Sequence, residues 1–334
     1  MPIETVVITG GSAGVGRATA RAFAKRGARL GLLARGAERL NATAAEVGAA
    51  GGRALAVPTD VADADAVENA AAAVEREFGP IDIWINNAMA TIFAPVARVS
   101  PDEYRRATEI TYLGYVYGTM AALKRMLPRD RGAIVQVGSA LAYRAIPLQA
   151  PYCGAKHAIR GFTDSLRCEL LHEKSSIRIT MVQMPALNTP QFDWARNKMP
   201  RRPRPMGTIF QPEVAAEAIV YAAHSRQREV YVGGSTVQAI IGNKLMPGLL
   251  DRLLARRGYP GQLSDEPEAI AGETGNLFAP SSEDRGAHGR FDKHAKPYSI
   301  EFRLARQRGL ISAGIGSAAV ILAALCLASR AAAR

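Results

Sequence analysis

Tyr152 and Lys156 are the residues of this sequence whose spacing most directly indicates proton chemistry. They stand four positions apart in the segment YCGAK, so on a helix they share one face. The unperturbed pKa of tyrosine is about 10, too high for ready proton exchange at neutral pH, and a nearby ammonium group lowers it. The pair predicts a general acid or base, and the alternative for an isolated pair is a surface tyrosine beside a lysine. Ser139, at the end of a predicted strand, would orient a carbonyl oxygen by hydrogen bonding.

A glycine-rich corner near the N-terminus predicts a phosphate-binding site. A strand predicted over 3–9 runs into Gly10, Gly14 and Gly16, and a helix is predicted over 14–26. Residues without side chains let the backbone approach a pyrophosphate, and a helix N-terminus offers unpaired N–H groups to it. The alternative is an ordinary tight turn, but the flanking strand and helix favour a dinucleotide site.

The elements that must position these residues alternate regularly along the chain. Strands are predicted over 3–9, 29–34, 53–57, 81–85, 133–137, 177–183 and 229–232, and helices over 14–26, 37–50, 62–78, 101–126, 150–171 and 212–223. Such alternation predicts a doubly wound α/β fold of Rossmann type, with a parallel sheet covered by helices on both faces. The apolar segment 237–254 is either an extra helix at a substrate pocket or a surface that contacts lipid.

Six motifs in this order resemble the classical short-chain dehydrogenase/reductase family over residues 3–232. They are the glycine corner, TDV at 59–61, NNAM at 86–89, Ser139, the Tyr152/Lys156 pair and PALNT at 185–189. The resemblance implies an NAD(P)-dependent oxidoreductase that interconverts a carbonyl and an alcohol. It implies that Tyr152 exchanges the proton and that Lys156 lowers its pKa and holds the nicotinamide ribose.

The resemblance also assigns individual residues. The implied catalytic residues are Ser139, Tyr152, Lys156 and Thr111. The implied cofactor-binding residues are Gly10, Ser12, Gly14, Val15, Gly16, Arg35, Asp60, Val61, Asn87, Tyr152, Lys156, Pro185 and Thr189. Among these, Asp60 would accept the adenine amino group, and Thr189 would hold the nicotinamide carboxamide.

Three positions depart from the family pattern. Thr111 stands where the family usually has an asparagine that helps to hold a water for proton relay. Met89 and Ala186 replace two glycines near the cofactor, which crowds that region without removing a group that does chemistry.

The end of the second predicted strand indicates the cofactor. An acidic residue there would bind the ribose hydroxyls of NAD, whereas this chain has Ala34 followed by Arg35. An arginine at this place can pair with a 2′-phosphate. We therefore predict NADP(H), with NAD(H) as the alternative if Arg35 only solvates a loop.

The C-terminal region predicts a membrane anchor. The segment 309–329 is apolar and carries no charged residue, and about 20 helical residues span a bilayer. The basic residues before it are Lys293, Lys296, Arg303, Arg306 and Arg308, against Arg330 and Arg334 after it. This bias predicts a single C-terminal span with the catalytic domain facing the cytoplasm. The alternative is a buried C-terminal helix in an oligomer.

The predicted organisation has three parts. A Rossmann-type catalytic domain covers 1–257, a flexible linker rich in Gly, Pro, Ser and acidic residues covers 258–299, and the anchor region covers 300–334. Homo-oligomers are an expectation from the family, through the long helices 101–126 and 150–171.

The net charge of +12 leaves several partners to consider. No recognition motif accompanies the charge, so we predict no nucleic acid. Because the three cysteines and five histidines show no ligand spacing, we also predict no metal. The basic segment 190–211, expected to cover the substrate, either contacts anionic lipid headgroups or is a solvated loop.

The predicted partners are a small-molecule carbonyl or alcohol substrate and the membrane itself. A membrane location would favour a lipophilic substrate. The alternative function is a catalytically silent dinucleotide-binding sensor or scaffold at a membrane, which the departure at Thr111 leaves open.

Overall fold

A seven-stranded parallel sheet forms the centre of the computed structural model, which describes residues 3–267, 275–281 and 283–306. Its strands are β1 Thr5–Thr9, β2 Arg29–Ala34, β3 Arg53–Pro58, β4 Ile83–Asn86, β5 Ala133–Val137, β6 Arg178–Gln183 and β7 Glu229–Tyr231. Their order across the sheet is β7-β6-β5-β4-β1-β2-β3, and all neighbouring pairs are parallel. The predicted Rossmann-type α/β fold is confirmed.

Helices cover both faces of this sheet. They are α1 Gly14–Ala24, α2 Ala37–Ala49, α3 Ala64–Phe78, α4 Pro101–Thr108, α5 Gly114–Met126, α6 Ala150–His172, α7 Pro212–His224, α8 Gly234–Leu245, α9 Pro247–Gly261 and α10 Ile300–Arg306. Successive side chains of a strand point to opposite faces, so Val6 and Ile8 pack with α1, α2 and α7, while Val7 packs with α3, α5 and α6. Both sides of the strands are therefore buried, as their apolar sequences require.

The helix predicted over 101–126 is interrupted in the structure. It begins at Pro101 with a capping box between Ser100 and Glu103, which satisfies exposed N–H groups of the first turn. A π-helical turn, Glu109–Leu113, then separates α4 from α5. Turns of this type are often found at functional sites, and this one contains Thr111.

The apolar segment 237–254, expected to be an extra helix at a substrate pocket or a surface that contacts lipid, lies within two helices. Pro247 occupies the first turn of α9, where its missing N–H costs nothing. A residue before proline is disfavoured in the helical conformation, and Met246 is non-helical, with φ −140° and ψ 58°. The proline therefore sets the boundary between α8 and α9.

The described parts of the segment expected to be a flexible linker pack against the domain. Leu277 is fully buried with the core residues around α3 and α5, and Ala287 is buried against α1 and α7. The strand Leu263–Pro267 pairs with Arg201–Pro203 in an antiparallel ribbon. Buried apolar residues and contacts from Arg17 and Arg35 hold these parts on the domain, and composition alone did not show this. The division of the chain at 257 and 299 stays a prediction.

The predicted anchor over 309–329 lies outside the described residues. Among the described residues, no helix has both the length and the apolar character needed to cross a membrane.

We expect Gly16→Ala to destabilise the protein, because a Cβ there would lie 2.1 Å from the carbonyl oxygen of Gly10. The backbone at this corner would have to move, and overpacking of this kind costs about 1–3 kcal/mol. Urea unfolding of the purified protein would measure the loss. Gly48→Ala is the matched control, since nothing lies within 4 Å of that position in α2. An equal effect of both substitutions would contradict the close approach at Gly16.

Candidate active site

Two connected cavities lie at the carboxyl ends of the strands, where doubly wound sheets bind their ligands. The first, of about 170 Å³, is lined by the glycine corner and by residues after β2 and β3, and is called the dinucleotide cleft below. The second, of about 350 Å³, is lined by Ser139, Tyr152 and Lys156, and is called the reaction cavity. Val15, Asn87, Met89, Thr189 and Gln191 border both.

The glycine corner holds the first turn of α1 against the end of β1. Gly14 has φ +53°, a backbone conformation that favours glycine. Asn87, at the end of β4, donates from its side chain to the carbonyl oxygen of Thr9 at 3.0 Å, and its backbone N–H donates to the Thr9 hydroxyl at 2.9 Å. These bonds join β1 to β4, the pair of strands between which the strand order reverses.

Residues 284–286 lie against the same corner. The backbone N–H of Gly14 donates to the carbonyl oxygen of Gly286 at 3.2 Å. Arg17 in α1 pairs with Asp284 and, at 2.7 Å, with Glu46. The Gly14 amide is therefore already paired, and the unused amides of the α1 first turn are the ones left to bind a phosphate.

The structure brings together the three residues predicted to do the chemistry. Ser139 follows β5, and α6 carries Tyr152 and Lys156 on the face toward the reaction cavity. Ser139 and Tyr152 both line the reaction cavity, and the Ser139 hydroxyl acts to lower the pKa of Tyr152. The backbone N–H of Ser139 donates to Gln183 Oε1 at 2.9 Å, so a buried glutamine at the end of β6 fixes the position of the serine. Sequence reasoning missed Gln183, whose position in an apolar strand was its only signal.

Lys156 is buried, with 2% of its surface exposed. Its ammonium donates to the carbonyl oxygen of Val137 at 2.7 Å and to the hydroxyl of Tyr115 at 3.0 Å. It lies 5.5 Å from the ring centre of Tyr152. Burial lowers the pKa of Lys156 to about 7, because removing the ammonium from water disfavours the charged form.

The pKa of Tyr152 differs from the expectation. Burial raises it to about 12, and the Ser139 hydroxyl acts in the opposite direction without cancelling that effect. The expected lowering by Lys156 is not seen in this structure. The reason is that burial weakens the lysine's own charge near neutral pH, and its donors are directed to Val137 and Tyr115 instead.

Tyr115 is a positioning residue that sequence reasoning missed. It is buried in α5, where its hydroxyl donates to the Val137 carbonyl at 3.0 Å and accepts from Lys156. The phenol thus supplies a hydrogen-bond acceptor to an ammonium that has lost its water. The available signal was its spacing, because Tyr115 lies four positions after Thr111 on the same side of the helical segment.

Thr111 lies in neither cavity. It is fully buried, and its hydroxyl both donates to the carbonyl oxygen and accepts from the N–H of Ala90, each at 3.0 Å. These bonds hold the loop after β4, which carries Met89 to the border of both cavities. Participation of Thr111 in a proton relay stays a prediction.

The other residues predicted to bind the cofactor can be placed relative to the two cavities, and their role in binding stays a prediction. Those that line one or both cavities are Gly10, Ser12, Gly14, Val15, Arg35, Asp60, Val61, Asn87, Pro185 and Thr189. Gly16 is not among the lining residues because it packs against Gly10. Asp60 is already paired with Arg106, so it lines the dinucleotide cleft with its charge balanced.

Two arginines line the adenosine end of the dinucleotide cleft. Arg35 donates to the carbonyl oxygens of Leu277 and Phe278, at 3.0 and 3.2 Å, and to that of Asn276. Arg39 is buried with its guanidinium 5.0 Å from the ring centre of Trp194, and its Nε has no hydrogen-bond partner among the described residues. A buried guanidinium donor in need of a partner is suited to a phosphate. Sequence reasoning missed Arg39.

The basic segment expected to cover the substrate is largely paired with acidic residues. Glu103 accepts from Arg196 at 2.7 Å and from Lys198 at 2.6 Å. Burial acts to raise the pKa of Glu103, but hydrogen bonds from Lys198, Ser100 and Arg196 outweigh it and lower the pKa to about 2. Arg202 likewise pairs with Asp193 and Glu266. These pairs leave the segment little free charge for lipid headgroups.

Comparison with known proteins gives matches over most of this structure. Residues 4–199 match the short chain dehydrogenase family. An uncharacterized oxidoreductase of Bacillus subtilis is 33% identical over 266 residues, covering 79% of this chain and 75% of the relative. Dehydrogenase/reductase SDR family member 7B of Bos taurus is 32% identical over 267 residues, covering 75% of this chain and 80% of the relative.

A solved structure shows the same fold. The alcohol dehydrogenase of the archaeon Thermococcus sibiricus, complexed with 5-hydroxy-NADP, superimposes with a TM-score of 0.61 at 26% identity. The match covers 69% of this chain and 96% of that one.

We expect Tyr115→Phe to destabilise the protein more at pH 6 than at pH 9. Burial lowers the folded-state pKa of Lys156 to about 7, whereas the unfolded value is about 10.4. At pH 6 the folded protein holds a charged lysine and loses a hydrogen bond worth about 1.5–3 kcal/mol, but at pH 9 the folded-state lysine is neutral and loses a weaker one. Urea unfolding at the two pH values measures the difference.

Tyr117→Phe is the matched control, because Tyr117 lies in the same helix without a hydroxyl contact to Lys156. Its effect should not depend on pH. Equal losses for Tyr115→Phe at both pH values would show that Tyr115 does not stabilise the charged lysine.

Proposed function

The chain belongs to the short-chain dehydrogenase family, and on that premise we propose that it is an NADP(H)-dependent oxidoreductase that uses Tyr152 as general acid and base. Its reaction interconverts a carbonyl group and an alcohol. The observation that carries the proposal is the convergence of Ser139, Tyr152 and Lys156 on one cavity that continues into the dinucleotide cleft. A dinucleotide in the cleft would reach the reaction cavity where the two share Val15 and Thr189.

The residues of the reaction cavity have separate roles in this proposal. The nicotinamide cofactor supplies or accepts the hydride when bound. Ser139 orients the substrate oxygen, and Tyr152 gives its hydroxyl proton to that oxygen during reduction or takes the proton from it during oxidation. Burial raises the pKa of Tyr152 to about 12, so the phenol is protonated at neutral pH, and giving up that proton requires stabilisation of the phenolate that forms.

Lys156 has two contributions in the proposal. Its ammonium, held by Val137 and Tyr115, would stabilise the negative charge that develops on Tyr152. It would also donate to the nicotinamide ribose, as in the family. Tyr115 and Gln183 act through Lys156 and Ser139, respectively, so they are positioning residues.

The preference for NADP(H) is supported by the charges of the dinucleotide cleft. No acidic residue stands at the end of β2, where one would bind the ribose hydroxyls of NAD. Arg35 and Arg39 line this end of the cleft and would both serve a 2′-phosphate. The related archaeal alcohol dehydrogenase was solved with an NADP derivative, which is in line with this preference.

The reaction cavity favours a lipophilic substrate. Its lining includes Leu141, Ile146, Met184, Phe192 and Leu250. Two of the larger polar groups of the lining are paired within the protein. Gln149 donates to Gln262 at 2.8 Å, and Arg144 binds Asn243 and Asp251 at 3.0 and 2.5 Å. A substrate would meet these apolar side chains together with Ser139, Tyr152, Ser235 and Thr236.

The proposed location is a membrane, through a single C-terminal span over 309–329 with the catalytic domain facing the cytoplasm. Support comes from the uncharged segment and from the basic residues that precede it. Protease added outside intact cells should then leave the domain undigested.

Tyr152→Phe should abolish turnover and leave NADPH affinity within about threefold, because it removes only the proton donor. NADPH oxidation by the detergent-solubilised full chain would be followed over a panel of lipophilic ketones and aldehydes, with NADPH binding measured by fluorescence. Tyr104→Phe, an exposed position on α4, is the control. Full activity of Tyr152→Phe would refute the assignment. If the wild-type protein binds NADPH but turns over no substrate, the catalytically silent dinucleotide-binding sensor becomes the better-supported function.

Arg39→Gln should weaken NADPH binding about tenfold or more while changing NADH binding little, because it removes a charged partner of the 2′-phosphate. Arg35→Asp should reverse the preference, since the new acid favours ribose hydroxyls and repels phosphate. Equilibrium titration with both cofactors measures the ratio. Arg98→Gln, which is exposed and lines neither cavity, should leave the ratio unchanged. An unaltered ratio in both test variants would remove the basis for NADP(H) selection.

A further inference from the structure

We propose that α8 and α9 carry a membrane-docking face that rests on anionic phospholipid and surrounds the mouth of the reaction cavity. The docking itself is independent of catalysis. The further step, that a lipophilic substrate enters the cavity directly from the lipid, rests on the proposed function.

The docking face is an exposed apolar stripe along the two helices. It consists of Ile241, Leu245, Met246, Leu249 and Leu253. Ile241 and Leu245 lie four positions apart in α8, and Leu249 and Leu253 lie four positions apart in α9, so each pair lies on one side of its own helix. Leu245 is 70% exposed and Leu249 56% exposed. Five large apolar side chains exposed within 13 residues are more than the singly scattered ones of an ordinary surface, and such clustering indicates a site of interaction.

The other side of the same helices forms a wall of the reaction cavity. Ala239, Leu250, Leu253 and Leu254 line that cavity. Leu253 is 40% exposed and also lines the cavity, so it lies where the docking face meets the cavity mouth. A molecule dissolved in lipid against the docking face would meet Leu253 first and then the cavity that contains Ser139 and Tyr152.

The charges around the stripe fit anionic headgroups. Lys244, Arg252, Arg256 and Arg257 are all exposed, and none of the four forms an ion pair with another described residue. The nearby Asp251 is bound to Arg144 at 2.5 Å. An apolar stripe with free cations beside it is typical of helices that lie in the interfacial plane of a membrane. Tyr259 is exposed at the end of α9, and tyrosine is enriched at this depth.

The same charges argue against two other occupants. The segment 309–329 is apolar but uncharged, so covering the stripe with it would leave the four cations without partners. A second copy of the chain would bring two sets of four cations together, and like charges across an interface oppose association. The basic segment over 190–211 differs in this respect, because Glu103, Asp193 and Glu266 already pair with its cations.

A local probe separates docking by this face from attachment elsewhere in the full chain. Leu249→Trp places an indole on the docking face, and Leu171→Trp is the matched control, 72% exposed at the C-terminal end of α6. The full-length variants would be mixed with vesicles of phosphatidylcholine and phosphatidylserine that carry brominated acyl chains. The wild-type signal, which comes from Trp84 and Trp194, would be subtracted.

The emission of Leu249→Trp should shift to the blue and be quenched by bromine about 5–10 Å below the headgroup boundary, the depth of interfacial helices. The emission of Leu171→Trp should not change. Replacing Arg252, Arg256 and Arg257 together by Gln should reduce the quenching of Leu249→Trp severalfold. Equal quenching of both tryptophan variants, or none for Leu249→Trp on vesicles that have captured the protein, would overturn the proposal.

Two outcomes without vesicles would also overturn it. A blue-shifted Leu249→Trp emission that does not depend on protein concentration would show that this chain covers its own stripe. A shift that grows with concentration would show that a second copy covers it. Neither readout involves turnover, so a protein that docks but is inactive would refute the proposed function and leave the docking face intact.

The entry route has its own test. Leu245→Glu combined with Leu249→Glu should raise the apparent KM for a vesicle-partitioned ketone severalfold. The same variant should leave the kinetics of a water-soluble ketone unchanged, because neither residue lines the reaction cavity. Equal changes for the two substrates would overturn entry from the lipid.

Discussion

The structure of the reaction cavity depends on the buried ammonium of Lys156. A charge removed from water is costly unless hydrogen-bond acceptors replace the lost hydration. Here the replacements are the carbonyl of Val137, at the end of β5, and the hydroxyl of Tyr115 in α5. The compensation is incomplete, because the pKa of Lys156 still falls to about 7. The lysine therefore changes charge close to neutral pH, next to a tyrosine whose own pKa is raised.

The basic side chains of the protein differ in whether an acidic residue is paired with them. The chain carries a net charge of +12, but Arg196, Lys198 and Arg202 of the 190–211 segment are bound by Glu103, Asp193 and Glu266. The described residues after 274 bind two further basic side chains. The backbone carbonyls of Leu277 and Phe278 accept hydrogen bonds from Arg35, and Asp284 pairs with Arg17. By contrast, Lys244, Arg252, Arg256 and Arg257 beside the apolar stripe of α8 and α9 form no ion pair with another described residue.

Much of the fold and of the site follows from local pattern. The order of elements was predictable because apolar runs such as β1, β2 and β5 form the buried strands of any doubly wound sheet. The cleft at the strand ends was predictable from the glycines after β1. The helix boundaries set by capping or by Pro247 depended on single residues, and the break between α8 and α9 was missed although the proline was visible.

The sequence by itself determined the family pattern, the Rossmann-type sheet and the placing of Ser139, Tyr152 and Lys156 on adjacent elements, because these depend on short-range spacing. Only the tertiary structure decided what surrounds them. Three of these contacts join positions that are far apart in the chain. They are the hydrogen bonds of Lys156, the hydrogen bond between Ser139 and Gln183, and the hydrogen bonds from Arg35 to residues 276–278. The pKa values of Lys156 and Tyr152 were also decided by the tertiary structure, because burial controls them and burial is a property of the packed protein.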